Sequence, residues 1–158
     1  VDDVNGIMSK ANYSLPDDAR SAFKDAKKKL VKFTDVATKL DWVPIFRYAE
    51  TLLDLAECYA NTTGGEGTAK ELLKRVRYRS LPEDVDPLDI DALSGDGLKE
   101  AIYNEKRLEF IGEGIRGIDI IRRGENFVQG KRVTSPQNSG YIWPIPQAEQ
   151  LINKDLNK

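Results

Sequence analysis

The chain has 158 residues, 40% hydrophobic and 32% charged, which suits one domain with a real core and is too polar for a membrane-spanning helix. With 24 Lys and Arg against 26 Asp and Glu and a pI near 5.3, it lacks the cationic surplus that phosphate backbones require, so no nucleic-acid partner is expected. The absence of histidine excludes a Ser/His/Asp triad, a Cys/His pair and a His-ligated metal within this chain, and the single Cys58 excludes an internal disulfide and a Cys-rich metal site.

No cofactor or metal is therefore expected. Cys58, inside AETLLDLAECYA, is read as a small buried thiol with no imidazole to activate it. Behind Val1 there is no charged and apolar leader pattern, so location cannot be read from the chain's own start, and the sequence reads as part of a longer protein.

Helical periodicity dominates the order of elements. Ala19, Phe23, Ala26 and Leu30 mark one face of an amphipathic helix, and the lysines at 27, 28 and 29, balanced by Asp17, Asp18 and Asp25, form its solvated side. Residues 31–43 read as a loop or a short extended piece. A helix is then predicted over 45–60, with Pro44 in its first turn and Ile45, Ala49, Leu52, Leu53, Ala56 and Ala60 on its buried side. Thr68 and Glu71 form the pattern of a capping box, so a second helix is predicted over 68–79 with Ala69, Leu72, Leu73 and Val76 as its stripe. The two make an antiparallel hairpin whose alanines permit close approach, like the helix pair of a tetratricopeptide unit.

Residues 80–97 are proline-rich and acidic and read as a long irregular excursion. Asp84, Asp86, Asp89 and Asp91 lack the frame and closing Glu of a calcium loop. A third helix is predicted from Asp96 as N-cap through Leu98, Ala101, Ile102, Leu108 and Ile111. Gly112, Gly114 and Gly117 then call for a break near Gly114 and a fresh short helix with Ile118, Ile120 and Ile121, ending by Gly124. Beyond it, residues 127–140 suit a small hairpin or a surface loop. YIWPIPQAE starts extended, Pro146 opens a last short helix, and residues 141–149 are expected to fold back with Trp143 or Ile145 as a buried anchor. The fold class is all-α, with long irregular loops and little β.

The charges within NEKRLEFIGEGIRGIDIIRRGE need an explanation. Glu105, Glu109 and Glu113 lie four apart on one helical stripe and repel one another unless cations reach them. The candidates are Arg47, Arg77, Arg79, Arg107, Arg116, Arg122 and Arg123, since a guanidinium fork pairs a carboxylate bidentately. Acids surrounded by arginines suit a structural ion-pair network better than glycoside hydrolysis, which needs a protonated acid across a cleft.

At this point the sequence resembles the C-terminal part of the SusD/RagB family. Four stretches carry the likeness: RYAETLLDLAECYA, with Arg47, Ala49, Glu50, Leu53, Ala56 and Glu57; the helix end at Val76, Arg77 and Arg79; Glu105, Arg107, Glu109, Phe110, Glu113, Gly114, Arg116, Asp119 and Arg122 or Arg123; and Tyr141, Pro144, Ile145, Pro146, Glu149 and Asn153. Lys106 stands where the family often has Arg, and the ending NKDLNK departs from its usual Asn-Pro. The resemblance covers residues 45–153, and it adds Glu50 and Asp119 to the network. It divides the chain into a poorly matched segment 1–40 and a tetratricopeptide-like, SusD-like C-terminal helical domain 41–158.

The resemblance implies a non-catalytic, nutrient-binding surface protein of the outer membrane. Such a protein takes an oligosaccharide or, in some branches, a peptide, partners a SusC-like TonB-dependent transporter, and is held by a lipid anchor absent from this chain. Trp42, Tyr78, Tyr141 and Trp143 lie near element ends or in irregular segments, where rings are free to stack on sugar faces. The competing reading is a helical-repeat module that docks a protein partner and touches no sugar.

Overall fold

A computed structural model of the chain describes residues 33, 37, 38, 40–129, 132–138, 141, 144–153 and 155. The helix expected around Phe23 and the anchor expected at Trp143 lie outside the described residues. The architecture is mostly helical, in two compact units, one running through Arg116 and the other starting at Gly117. Among the described residues no helix is long and apolar enough to cross a membrane.

The first unit is built on three helices: α1 (Tyr48–Ala60), α2 (Glu66–Arg77) and α3 (Gly95–Glu109). Helix α1 packs on both others, and α2 also meets α3. Five residues join α1 to α2, so the two run antiparallel. Leu53, Ala56, Ala69, Leu73, Val76, Leu98 and Ile102 make the dry centre. Alanines at the α1–α2 contact let the backbones approach, and burying each large aliphatic side chain there contributes about 1.5 to 3 kcal/mol.

The α1–α2 turn depends on two glycines. Gly64 has φ +78, a conformation that L side chains rarely adopt, and a Cβ on Gly65 would stand 2.3 Å from the Tyr59 carbonyl oxygen. Helix α2 starts at Glu66 with Gly65 as its N-cap, two residues before the expected start. The capping box predicted at Thr68 and Glu71 does not form, because both already lie inside the helix. The Glu66 carboxylate is committed elsewhere, accepting from the Gly95 N–H at 2.8 Å.

Helix α1 also departs from expectation. It begins at Tyr48, and Ile45, expected on its buried side, is 79% exposed. The cause is Arg47, held extended at φ -133 and ψ 144 while its side chain reaches across to α3. Cys58, expected to be buried, is exposed.

The excursion between α2 and α3 is irregular except for one 3-10 turn, Glu83–Val85, and is pinned by the buried Leu81 and Ile90. Helix α3 has Ser94 as its N-cap rather than Asp96 and ends at Glu109. Gly112 and Gly114 follow with φ 80 and 84, the break that the glycines predict. Helix α4 (Arg116–Arg122) opens past them.

In the second unit, strands β1 (Phe127–Gln129) and β2 (Arg132–Thr134) form an antiparallel pair with Val128 opposite Val133, and α5 (Gln147–Ile152) starts just after Pro146. Ile145 is 43% exposed and is not the anchor expected of the tail. Tyr141 is buried instead. It is large enough to fill space and has a hydroxyl that two nearby carbonyls satisfy.

Candidate functional site

The charged stripe of α3 is assembled from three directions. Arg47, at the start of α1, places Nη1 2.8 Å from Glu109 Oε1, Nη2 2.9 Å from the Glu109 carbonyl oxygen and Nε 2.9 Å from Glu113 Oε2. Its guanidinium also lies 4.9 Å from the centre of the Phe110 ring, a cation–π distance. Arg79, just beyond α2, donates to the same Glu109 oxygen at 2.6 Å. One buried carboxylate thus joins three helices. Burial lowers the Arg47 pKa, but hydrogen bonds and charge from Glu109 and Glu113 more than offset it, and the net shift is upward.

A second cluster lies deeper. Arg77, at the end of α2, is 2% exposed and donates to Glu105 Oε2 at 2.9 Å and to Asp86 Oδ1 at 2.7 Å, with a further short contact from Nε to the other Asp86 oxygen. Asp86 also accepts the Leu88 N–H at 2.9 Å, which anchors the irregular excursion to the helices. Its role had no periodic signal, because a loop residue's long-range partner is invisible to spacing. On α3, the buried Lys106 reaches Asp54 at 2.6 Å and Glu57 at 3.3 Å on α1. Its position among acids and arginines was the available clue.

The remaining charged candidates make further contacts. Arg116 donates to the Tyr103 hydroxyl and lies 4.9 Å from that ring's centre, and Arg107 lies 6.0 Å from it. Arg122 pairs with Asp119 at 3.0 Å within α4. Glu50 is half-buried in the first turn of α1.

The four aromatic candidates do not converge. Trp42 is 94% exposed on the lead-in to α1, and Tyr78 is half-buried at the end of α2 against the core. Desolvation by burial, followed by the charge of Glu83, raises the Tyr78 pKa and keeps its hydroxyl a neutral donor. Tyr141 is 5% exposed, with its ring centroid 5.4 Å from that of Phe127. Trp143 is outside the described residues. The first unit also carries an open bowl of about 370 Å³ at the α1–α2 turn, lined by the short polar side chains of Asn61, Thr62 and Thr63 and by the charged Glu66 and Lys99. Among the described residues no group of three or more acids and thiols is arranged to hold a metal ion.

The relatives of this chain are consistent in kind. SusD-like protein P2 of Formosa agariphila is 32% identical over an alignment of 125 residues that covers 73% of this chain and 25% of that protein. SusD-like protein P25 of the same organism is 35% identical over 80 residues, 51% of this chain and 15% of that protein. A crystal structure of a SusD superfamily protein from Bacteroides fragilis superposes with a TM-score of 0.85 at 68% identity, over 96% of this chain and 37% of that one. The chain thus spans about a quarter or less of the length of these curated relatives. The SusD family profile matches residues 2–158, and with the helical order and the arginine-bound acid stripe described above, the chain belongs to the SusD family.

Proposed function

We propose that residues 41–158 are the C-terminal helical part of a non-catalytic nutrient-binding protein, preceded by a less well matched segment 1–40. The whole protein takes an oligosaccharide and passes it to a SusC-like TonB-dependent transporter at the extracellular face of the outer membrane, where a lipid anchor holds it. The observation that carries this reading is the family match across residues 2–158. The chemistry of the site is compatible with it. Glu105, Glu109 and Asp86 each accept from a guanidinium, whereas a general acid needs a proton to give.

The rings offered to ligand are Trp42, which is open to solvent, and Tyr78, whose neutral hydroxyl is a donor beside a half-exposed face. Trp143 completes the proposed set, whereas Tyr141, buried against Phe127 with its hydroxyl on two carbonyls, serves to hold the tail. Stacking on a sugar face quenches or shifts indole emission. Tryptophan fluorescence of the full-length protein, titrated with a panel of oligosaccharides and with peptides of matched length, tests the proposal. A saturable change with one glycan class that Trp42→Ala abolishes supports it; saturation by peptide alone assigns the peptide-binding branch. No response to either, together with capture of a protein partner, leaves the helical interaction module as the function.

A further inference from the structure

The open bowl at the α1–α2 turn gathers polar groups that the fold itself leaves unused. Asn61 donates Nδ2 to the Glu57 carbonyl oxygen at 2.8 Å and keeps Oδ1, while Glu66 gives Oε1 to the Gly95 N–H and keeps Oε2. Among the described residues nothing bonds those two oxygens or the Thr63 hydroxyl. Lys99 lines the same bowl, with its ammonium 3.7 Å from the fully exposed Asp96. The volume of about 370 Å³ stands at the low end of small-molecule sites, which run from about 300 to 1,000 Å³.

The wall between these groups is bare backbone. Gly64, Gly67 and Gly95 line it, and a Cβ added at any of the three meets nothing within 4 Å. Gly64 and Gly95 have positive φ, which accounts for glycine there. Gly67 has no such reason. It stands in the first turn of α2, where alanine would favour the helix. A glycine that lowers helix stability, fits no tight contact and borders a cavity suits the close approach of a ligand to the backbone.

The mixture of groups selects the ligand class. An anion would meet the Glu66 carboxylate and a cation the Lys99 ammonium, whereas each hydroxyl of a sugar both donates and accepts and needs partners of both kinds. We propose that the bowl is a carbohydrate subsite. Glu66 Oε2 and Asn61 Oδ1 accept from neighbouring hydroxyls of one pyranose ring, Lys99 donates to them, Thr63 does either, and the ring edge rests against Gly67. No aromatic ring lines the bowl, so recognition is by hydrogen bonds to the hydroxyls rather than by stacking. The bowl lies at the opposite end of α1 and α2 from Trp42 and Tyr78, so this subsite is separate from the rings proposed above and goes beyond them.

The amide signals of Gly64 and Gly95 supply the readout. Nitrogen–proton correlation spectra of the 158-residue chain are recorded during titration with methyl glycosides of the common hexoses, and separately with glycerol, inorganic phosphate and calcium chloride. Both signals are expected to move saturably with at least one glycoside, while those of Gly114 and Gly124 stay in place. Thr63→Val is expected to weaken that binding at least about threefold, and Gly67→Leu, which obstructs the wall, to abolish it. Unmoved Gly114 and Gly124 signals in both variants show that the fold is intact. The proposal is overturned by an absence of saturable movement with every glycoside, by movement with glycerol, phosphate or calcium as strong as with the glycosides, or by binding indifferent to either variant. Tryptophan emission reports on the rings and these amides on the bowl, so the failure of one reading leaves the other standing.

Discussion

Arg47 and Glu109, 62 positions apart, are joined through both the side chain and the backbone of the glutamate, at 2.8 and 2.9 Å. The backbone bond matters as much as the ion pair, because Glu109 ends α3, and carbonyls in a helix's last turn are met from outside the helix. Arg47 therefore acts as a C-terminal cap supplied from another helix. Its positive charge also suits the negative end of the α3 dipole.

The Glu109→Ala variant tests the strength of this junction. The substitution leaves the Arg47 guanidinium with Glu113 and a carbonyl, and strips Arg79 of its acceptor. Because the Glu109 side chain is 2% exposed, the loss is expected to be about 3 kcal/mol by urea unfolding. Arg79, whose side chain is 54% exposed, sets the contrast, and Arg79→Ala is expected to cost less than about 1 kcal/mol. Similar small losses for both variants would show a solvated pair rather than a structural junction.

Two neighbouring glycines are expected to respond with opposite signs. An alanine at Gly65 would meet the Tyr59 carbonyl oxygen at 2.3 Å, and backbone on both sides leaves little room for relief. Gly65→Ala is expected to destabilise by about 1 to 3 kcal/mol. At Gly67, inside α2, an added Cβ meets nothing within 4 Å, so Gly67→Ala is expected to stabilise by about 0.5 to 1 kcal/mol through helix propensity. Thermal unfolding of the pair checks this, and a melting temperature that falls for both would refute the packing at the turn.

Alkaline pH provides a further test at the end of α2. The Lys74 pKa is raised above its ordinary 10.5, first by the hydrogen bonds to Asp91, and the Tyr78 pKa is raised above its ordinary 10.0, first by burial. For both groups the folded state holds its proton to higher pH than the unfolded chain does. Their contribution is therefore fully present below about pH 10 and is lost as pH climbs through the folded values. Stability is expected to decline from there upward, and Tyr78→Phe to make the decline shallower. The check is urea unfolding at a series of pH values from neutral to alkaline; an identical alkaline slope in the variant would remove Tyr78 from the account.

How much of this was legible in the sequence varies with the range of the interaction. Helices α1, α2 and α3, the break at Gly112 and Gly114, and the start of α5 after Pro146 all follow from local rules, since periodicity, glycine conformation and proline geometry act within a turn or two. The start of α1 does not. Pro44 is compatible with a first helical turn, yet the Arg47 side chain is drawn to α3 and keeps its own backbone extended. The capping box at Thr68 lost to Gly65, whose small size permits the tight turn before it. Cys58 was misplaced on residue type, since its helical position lies about half a turn from Ala49 and Ala56 and so on the outer side of α1. Asp86 and Lys106 acquire their partners only through tertiary contact, which composition marks as charge without assigning it.

The tail prediction turns on Tyr141. Its hydroxyl lies 2.7 Å from the Glu125 carbonyl oxygen and 3.1 Å from that of Ile120, so it ties the returning chain to the turn that closes α4. The Glu125 N–H also reaches the Ile120 carbonyl at 2.9 Å, which makes that oxygen shared and the Glu125 oxygen the better acceptor for the single hydroxyl proton. Tyr141→Phe keeps the ring on Phe127 and removes only this bond, for an expected cost of about 1 kcal/mol. Tyr141→Ala also removes the buried ring, raising the expected cost to about 3 to 5 kcal/mol. Truncation before Gly140 removes both and is expected to match the alanine variant in lowering the melting temperature. An unchanged melt on truncation would mean that the tail contributes no packing, and that Tyr141 is free to serve a ligand instead.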